Sequence, residues 1–233
     1  MYSDVFCRVY NEFGWNYFPE AFAEELLQWL KKEGLCVRTS VDLACGSGVL
    51  CEKLHEAGID AMGMDLSEGM IKVARSRCAA IPYEVADMLS FRPARDFDLV
   101  TCTGDALNHI LELADLRTIF RNVYGYLAPG GHFIFDILRE EEVPASEPFD
   151  LVFSEEITAR FSVEREGALI RLRTVVFEKG ERQFEEVITE TLHNIDTVCM
   201  LLAECGFTIL RRADNLMDGG GHGTTCYIIA KKA

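Results

Sequence analysis

The chain has 233 residues, 49% of them hydrophobic and 26% charged, and a formal net charge of -15 from 38 acidic and 23 basic side chains. That composition excludes disordered and collagen-like chains and provides a sizeable core for one large α/β domain or a core domain with an insertion. Such an acidic balance repels polyphosphate and anionic lipid, so neither nucleic acid nor a membrane is expected as a partner. Nine scattered cysteines without a Cys-x-x-Cys pair read as core thiols of a reduced protein, and no metal is expected. Met1 to Asn11 lacks the basic and apolar regions of a secretory signal, and no apolar run nears the roughly 18 residues of a membrane span, so the expected location is cytoplasmic.

From Pro19 to Lys32 apolar residues recur at helical spacing, and Gly34 stands where a C-terminal cap belongs. An apolar run from Ser40 to Ala44, a glycine turn, a helix pattern from Val49 to Ala57, a run from Ile59 to Met64 and a helix from Ser67 to Cys78 follow. This βαβα alternation predicts a parallel sheet. It continues with strands at Tyr83 to Ala86 and Phe97 to Cys102, a helix from Asp115 to Leu127 ended by Pro129-Gly130-Gly131, and a strand from His132 to Leu138. An acidic connector, Glu140 to Pro148, then precedes three strand-like stretches, Leu151 to Glu164, Ala168 to Glu178 and Phe184 to His193. Glycine turns separate them, which predicts an antiparallel insertion. A helix from Asp196 to Cys205, capped by Gly206, leads to strands at Phe207 to Arg212 and Thr224 to Ala230.

The informative stretch is Val41-Asp42-Leu43-Ala44-Cys45-Gly46-Ser47-Gly48, a strand running into a small-residue turn at a helix start. Small residues let a ligand touch the backbone, and a helix N-terminus offers free N–H groups. As a dinucleotide fingerprint the turn is poor, because Ala44 replaces the first glycine and the third is missing. Asp42 would repel a pyrophosphate and suits an ammonium group. Asp65 lies about 20 residues after the turn, the spacing of a ribose-binding acid. Asp87 and Met88, at the third strand end, offer an acceptor for an exocyclic amine and an apolar face for adenine. An adenosine with a charged amino acid tail and no phosphate is S-adenosylmethionine.

In these motifs, together with Met64-Asp65-Leu66-Ser67, Ala86-Asp87-Met88 and Leu127-Ala128-Pro129-Gly130-Gly131, the chain resembles the class I S-adenosylmethionine-dependent methyltransferases over nearly its whole length. It is most similar to the small-molecule branch with a β insertion after strand five, as in amino-sugar N-methyltransferases and glycine N-methyltransferase. The resemblance implies an α/β fold with a Rossmann-like, seven-stranded, mostly parallel sheet, flanking helices, and Thr224 to Ala230 as its antiparallel strand. It also implies three regions: lid and cofactor core over 1–139, the insertion over 140–194 as substrate cover or dimer contact, and a return to the core over 195–233. The implied cofactor-binding residues are Tyr17, Asp42, Ala44, Cys45, Gly46, Gly48, Asp65, Leu66, Met70, Ala86, Asp87, Met88 and Thr103. Val9-Tyr10-Asn11 and Tyr17 look like the tyrosine-bearing lid of that branch.

Methyl transfer from a sulfonium needs alignment, exclusion of water and an acceptor with a free lone pair. An amine acceptor must lose a proton first, which calls for a nearby His or Tyr. His109, after the fourth strand, and Tyr10 are the expected catalytic residues; in the amino-sugar branch a histidine falls at about the place of His109, while many relatives carry Tyr there. Cys45 is not expected to act as a nucleophile, and His222 reads as a loop residue. The expected acceptor is a small-molecule amine, with O- or carboxyl-methylation and a non-catalytic S-adenosylmethionine-binding module as the other readings. A nicotinamide-dependent oxidoreductase shares the architecture but is opposed by Asp42 and Ala44. A monomer or a homodimer is expected.

Overall fold

The computed structural model describes Cys7, Tyr10 and residues 16–140, 143–216 and 225–233. Readings on Val9, Asn11 and His222 fall outside them. The helix α1 (Tyr17–Lys32) buries Phe22, Ala23, Leu26, Trp29 and Leu30 along one face, with Glu20 in its first turn and Lys31 and Lys32 in its last, complementing the helix dipole. It ends where the sequence predicts. Gly34 takes φ +65°, its N–H donates to Lys31 O and that of Leu35 to Leu30 O, which is the Schellman arrangement.

Strand β1 (Thr39–Leu43), helix α2 (Val49–Glu56), β2 (Asp60–Asp65), α3 (Glu68–Arg77), β3 (Tyr83–Val85), β4 (Phe97–Cys102), α4 (Leu113–Tyr126) and β5 (Leu127–Leu138) follow in turn. After the insertion come α5 (Ile195–Glu204), β10 (Phe207–Ala213) and β11 (Thr225–Lys232). The seven strands lie in the order β10-β11-β5-β4-β1-β2-β3, parallel except for β11, which runs antiparallel to both neighbours. Helices cover both faces, so strand residues on either side are buried. In β5, Phe133, Phe135 and Ile137 enter the core shared with α4 and α5, while Ile134 enters the one shared with α1, α2 and α3.

Pro129-Gly130-Gly131 lies inside β5 rather than before it. The helix ends at Tyr126, Leu127 is already paired with Phe97, and the next pair along is Leu99 with His132, so the glycines form a bulge with Gly130 at φ +76°.

The insertion is a separate antiparallel sheet of four strands, β6 (Ser146–Val152), β7 (Ile157–Glu166), β8 (Leu169–Glu178) and β9 (Glu181–Thr191). The sequence pattern gave three, with Leu151 to Glu164 as one strand and Ser146 to Pro148 as connector. The turn between β6 and β7 has no glycine or proline to mark it. Ser154 makes it instead, accepting from the backbone N–H groups of Glu156 and Ile157 at 3.3 and 3.0 Å. Pro148 is tolerated because β6 is an edge strand. The β7–β8 turn has Gly167 at φ +62°, and the β8–β9 turn has Lys179 at φ +54° and Gly180 at φ +81°. The insertion docks through Ala159, Phe161 and Val176, which pack with Met70 of α3 and with Cys7.

Gly48 caps α2 at φ +79°, and a Cβ there would stand 2.6 Å from Tyr83 Oη and 2.9 Å from Ala74 Cβ. The left-handed backbone and the overpacking together make Gly48→Ala destabilising by about 2–4 kcal/mol. Denaturant unfolding checks this; a loss below about 1 kcal/mol would contradict it.

Candidate active site

Parallel strands present their carboxyl ends together, and the crevice opens where β1 and β4, neighbours in the sheet, lead to opposite sides. A cavity of about 400 Å³ lies there. Its floor is the turn after β1. Ala44 holds a left-handed backbone at φ +55°, Gly46 follows at φ +52°, and the Cys45 N–H donates to Met64 O at 2.9 Å. Asp65, at the end of β2, fixes this turn, with its Oδ2 accepting from Gly46 N–H at 2.9 Å and its Oδ1 from Ser67 N–H at 2.8 Å. Ser67 in turn caps α3 through Met70 N–H. Each carboxylate oxygen of Asp65 keeps a further lone pair for a ligand.

Asp42 is buried in the same wall and accepts from Thr101 Oγ1–H at 2.7 Å. Burial pushes its carboxyl up to about 7, helped by the charges of Asp65 and Asp136 and opposed by the Thr101 bond. Asp87 accepts from Leu89 N–H at 2.8 Å, beside Met88. The Cys45 thiol is raised by its contact with Cys51 and by burial.

His109 ends a 3-10 turn, Ala106–His109, that follows a left-handed Asp105. Asn108, fully buried, holds that turn in place: its Nδ2–H donates to Thr191 O of β9 at 2.8 Å and its Oδ1 accepts from Leu138 N–H of β5 at 3.1 Å. Burial lowers the His109 imidazole below its ordinary value, favouring its neutral form. The Tyr10 hydroxyl is pushed up to about 12 by burial and by the charges of Asp105 and Asp65, so it keeps its proton and acts as a hydrogen-bonding group.

Of the residues singled out in the sequence, Tyr10, Asp42, Ala44, Cys45, Gly46, Asp65, Leu66, Met70, Ala86, Asp87, Met88, Thr103 and His109 line one cavity. Tyr17 and Gly48 do not. Tyr17 opens α1 on its outer side, 75% exposed, while its neighbour Phe18 takes the wall position and stacks towards Phe22. Gly48 is turned towards Tyr83 and Ala74 and serves the turn itself. The wall that the sequence motifs missed is β9, whose residues Glu186 to Thr189 face the cavity. No motif marks these residues, and only the packing of β9 against the 3-10 turn brings them to the site.

Residues 41–131 match the family described as a methyltransferase domain. That domain, this sheet and the acids at three successive strand ends support a class I S-adenosylmethionine-dependent methyltransferase with S-adenosylmethionine as its cofactor. Among known proteins, a putative methyltransferase of Geobacillus sp. strain WCH70 is 26% identical over 238 residues, 91% of each chain. The dTDP-4-amino-2,3,4,6-tetradeoxy-D-glucose N,N-dimethyltransferase of Saccharopolyspora spinosa is 27% identical over 130 residues, 56% of this chain and 51% of that one. In fold the chain is similar to SAM-bound CalS10, an amino pentose methyltransferase of Micromonospora echinaspora, with a TM-score of 0.79 at 20% identity, over 100% of this chain and 98% of that one.

The buried acids tie stability to pH. Asp42, Asp136 and Glu190 are each raised to about 7 by burial, against about 4 when unfolded. The native state therefore holds protons that the unfolded chain has lost, and the stability they confer, complete below about pH 4, is lost as the pH rises through about 7. The ligand-free protein is expected to lose thermal stability between about pH 5 and about pH 8, and Asp42→Asn to gain on the wild type only towards the upper end. Scanning calorimetry across that range checks both, and parallel curves would contradict the assignment.

Proposed function

We propose that the protein transfers the methyl group of S-adenosylmethionine to an amine nitrogen of a small molecule. One observation carries this reading. The described residues lining the cavity include Asp42, Asp65, Asp87 and Glu186, and no lysine or arginine. A cavity charged in this way favours cationic ligands and disfavours carboxylate and phosphate acceptors. Glu186 adds to this, because its Oε2 is buried with no hydrogen-bond partner among the described residues, an acceptor held open for a donor. The names of the Saccharopolyspora and Micromonospora proteins, which act on amino sugars, agree with an amine.

The cavity fits the cofactor in three places. Asp42 faces the cationic tail, Asp65 takes the ribose hydroxyls with the lone pairs its turn leaves free, and Asp87 with Met88 receives the adenine. Leu66, Met70 and Ala86 supply apolar wall, and the backbone from Ala44 to Gly46 allows close approach. When bound, S-adenosylmethionine supplies a methyl carbon on a sulfonium, whose departure as a neutral thioether needs no acid. His109 takes the proton that an ammonium acceptor must lose, and Tyr10 and Thr103 orient the groups around it. The insertion covers the substrate, and its exposed edge strand β6 allows a homodimer beside a monomer. Nine free cysteines support a reducing, cytoplasmic setting, and among the described residues no helix is long and apolar enough to cross a membrane.

Two measurements test this. Asp65→Ala is expected to weaken S-adenosylmethionine binding by about 1.5–3 kcal/mol in calorimetric titration, the loss typical of a hydrogen bond to a charged group; unchanged affinity would remove Asp65 from the site. A homocysteine-release screen over small amines, alcohols and acids is expected to score amines alone. Turnover confined to alcohols or acids would overturn the amine reading.

A further inference from the structure

We propose that Glu190, carried by β9, is a positioning residue for His109, and that the two act as a pair in taking the proton that leaves the acceptor's ammonium group. This rests on the amine reading. His109 Nε2 lies 3.7 Å from Glu190 Oε1, and Asp105 offers a carboxylate oxygen within 4.8 Å of the ligand atoms of both. His109 lines the cavity, whereas Glu190 and Asp105 do not, so a ligand meets the imidazole and the carboxylates stand against it from outside the cavity.

The surroundings of Glu190 argue for this role. It is only 5% exposed, in a sheet well supplied with arginine, yet those arginines are engaged elsewhere. Arg171 pairs with Glu166, Arg173 and Arg182 with Glu185, Arg160 with Asp150, and Arg165 with Glu140. Its one ion-pair partner among the described residues is His109. A carboxylate buried in this way is costly unless a neighbour becomes positive, and His109 does so on accepting a proton. The other ionisable groups near the pair are Asp105 of the loop before the 3-10 turn, Asp136 of β5 close to Asp105, Tyr10, and the cavity acids Asp42, Asp65 and Glu186. The acids favour an imidazolium, whereas burial and the N-terminal charge oppose it. Burial raises the Glu190 carboxyl to about 7 and lowers the imidazole.

In the step itself the ammonium N–H bond breaks, its electron pair remains on nitrogen, and the proton binds an imidazole nitrogen opposite Glu190. No oxidant or reductant enters. Asn108 keeps the distance, since it ties the turn that carries His109 to the strand that carries Glu190.

The test is Glu190→Gln in the full chain, which keeps the shape and removes the charge. Affinity for S-adenosylmethionine is expected to stay within about twofold, while kcat for an amine falls roughly 10–100-fold with little change in KM. The wild-type pH–rate profile is expected to carry an inflection near the Glu190 value of about 7 that the variant lacks. In ligand-free protein, NMR titration of the His109 ring is expected to show an upper step that disappears in the variant, and Glu190→Asp is expected to restore part of both. Chelator-sensitive turnover restored by a divalent metal would overturn the proposal, since the three groups would then be metal ligands. A wild type that methylates no amine defeats the amine reading and this proposal with it. A wild type that does, matched by Glu190→Gln in rate, pH profile and His109 titration, overturns the proposal alone.

Discussion

Carboxyl groups buried without lysine or arginine are the constraint on which the site depends. Asp42, Asp65 and Asp87 stand at the ends of β1, β2 and β3 because parallel strands deliver their carboxyl ends to one edge of the sheet. Each is held by its own locality: Asp42 by Thr101, Asp65 by the N–H groups of Gly46 and Ser67, Asp87 by that of Leu89. These bonds fix the carboxylates without neutralising them. The molecule resolves the remaining cost by raising Asp42, Asp136 and Glu190 to about 7, so that protons serve as counter-charge until a cation arrives.

The same constraint joins the two sheets. β9 contributes Glu186 to the cavity and Glu190 to the back of His109, and it is fastened to the core by Asn108 and by His193, whose Nε2 lies 2.7 Å from Ile110 O. The insertion is thus part of the cavity wall. Differences in acceptor among proteins of this fold can arise in such a strand without disturbing the turn after β1.

Much of this was legible in the sequence because it is local. Apolar spacing marked the helices, Gly34 and Gly206 marked their ends, and short apolar runs alternating with helices marked a parallel sheet. Asp42, Asp65 and Asp87 were visible because each lies at or just past the end of a strand marked by its apolar run. What escaped depends on contacts far apart in the chain or on turns without signature residues. The β6–β7 turn is made by a serine within an uninterrupted alternation, so two strands read as one. Pro129-Gly130-Gly131 reads as a helix stop, yet its place inside β5 is set by pairing with β4. Tyr17 and Phe18 are adjacent aromatics, and which of them faces the cavity is decided by where the helix packs, not by composition. Glu190 and Asn108, one polar residue among many in their segments, acquire meaning only when β9 is laid against the 3-10 turn.

The most direct test of the central claim is the proton balance of cofactor binding, obtained by titrating S-adenosylmethionine calorimetrically at about pH 6 in buffers of differing ionisation enthalpy. If the cavity acids hold protons in place of a cation, a cationic ligand must displace them. The account predicts net proton release, reduced in Asp42→Asn. Binding with no proton release, or with uptake, would contradict it.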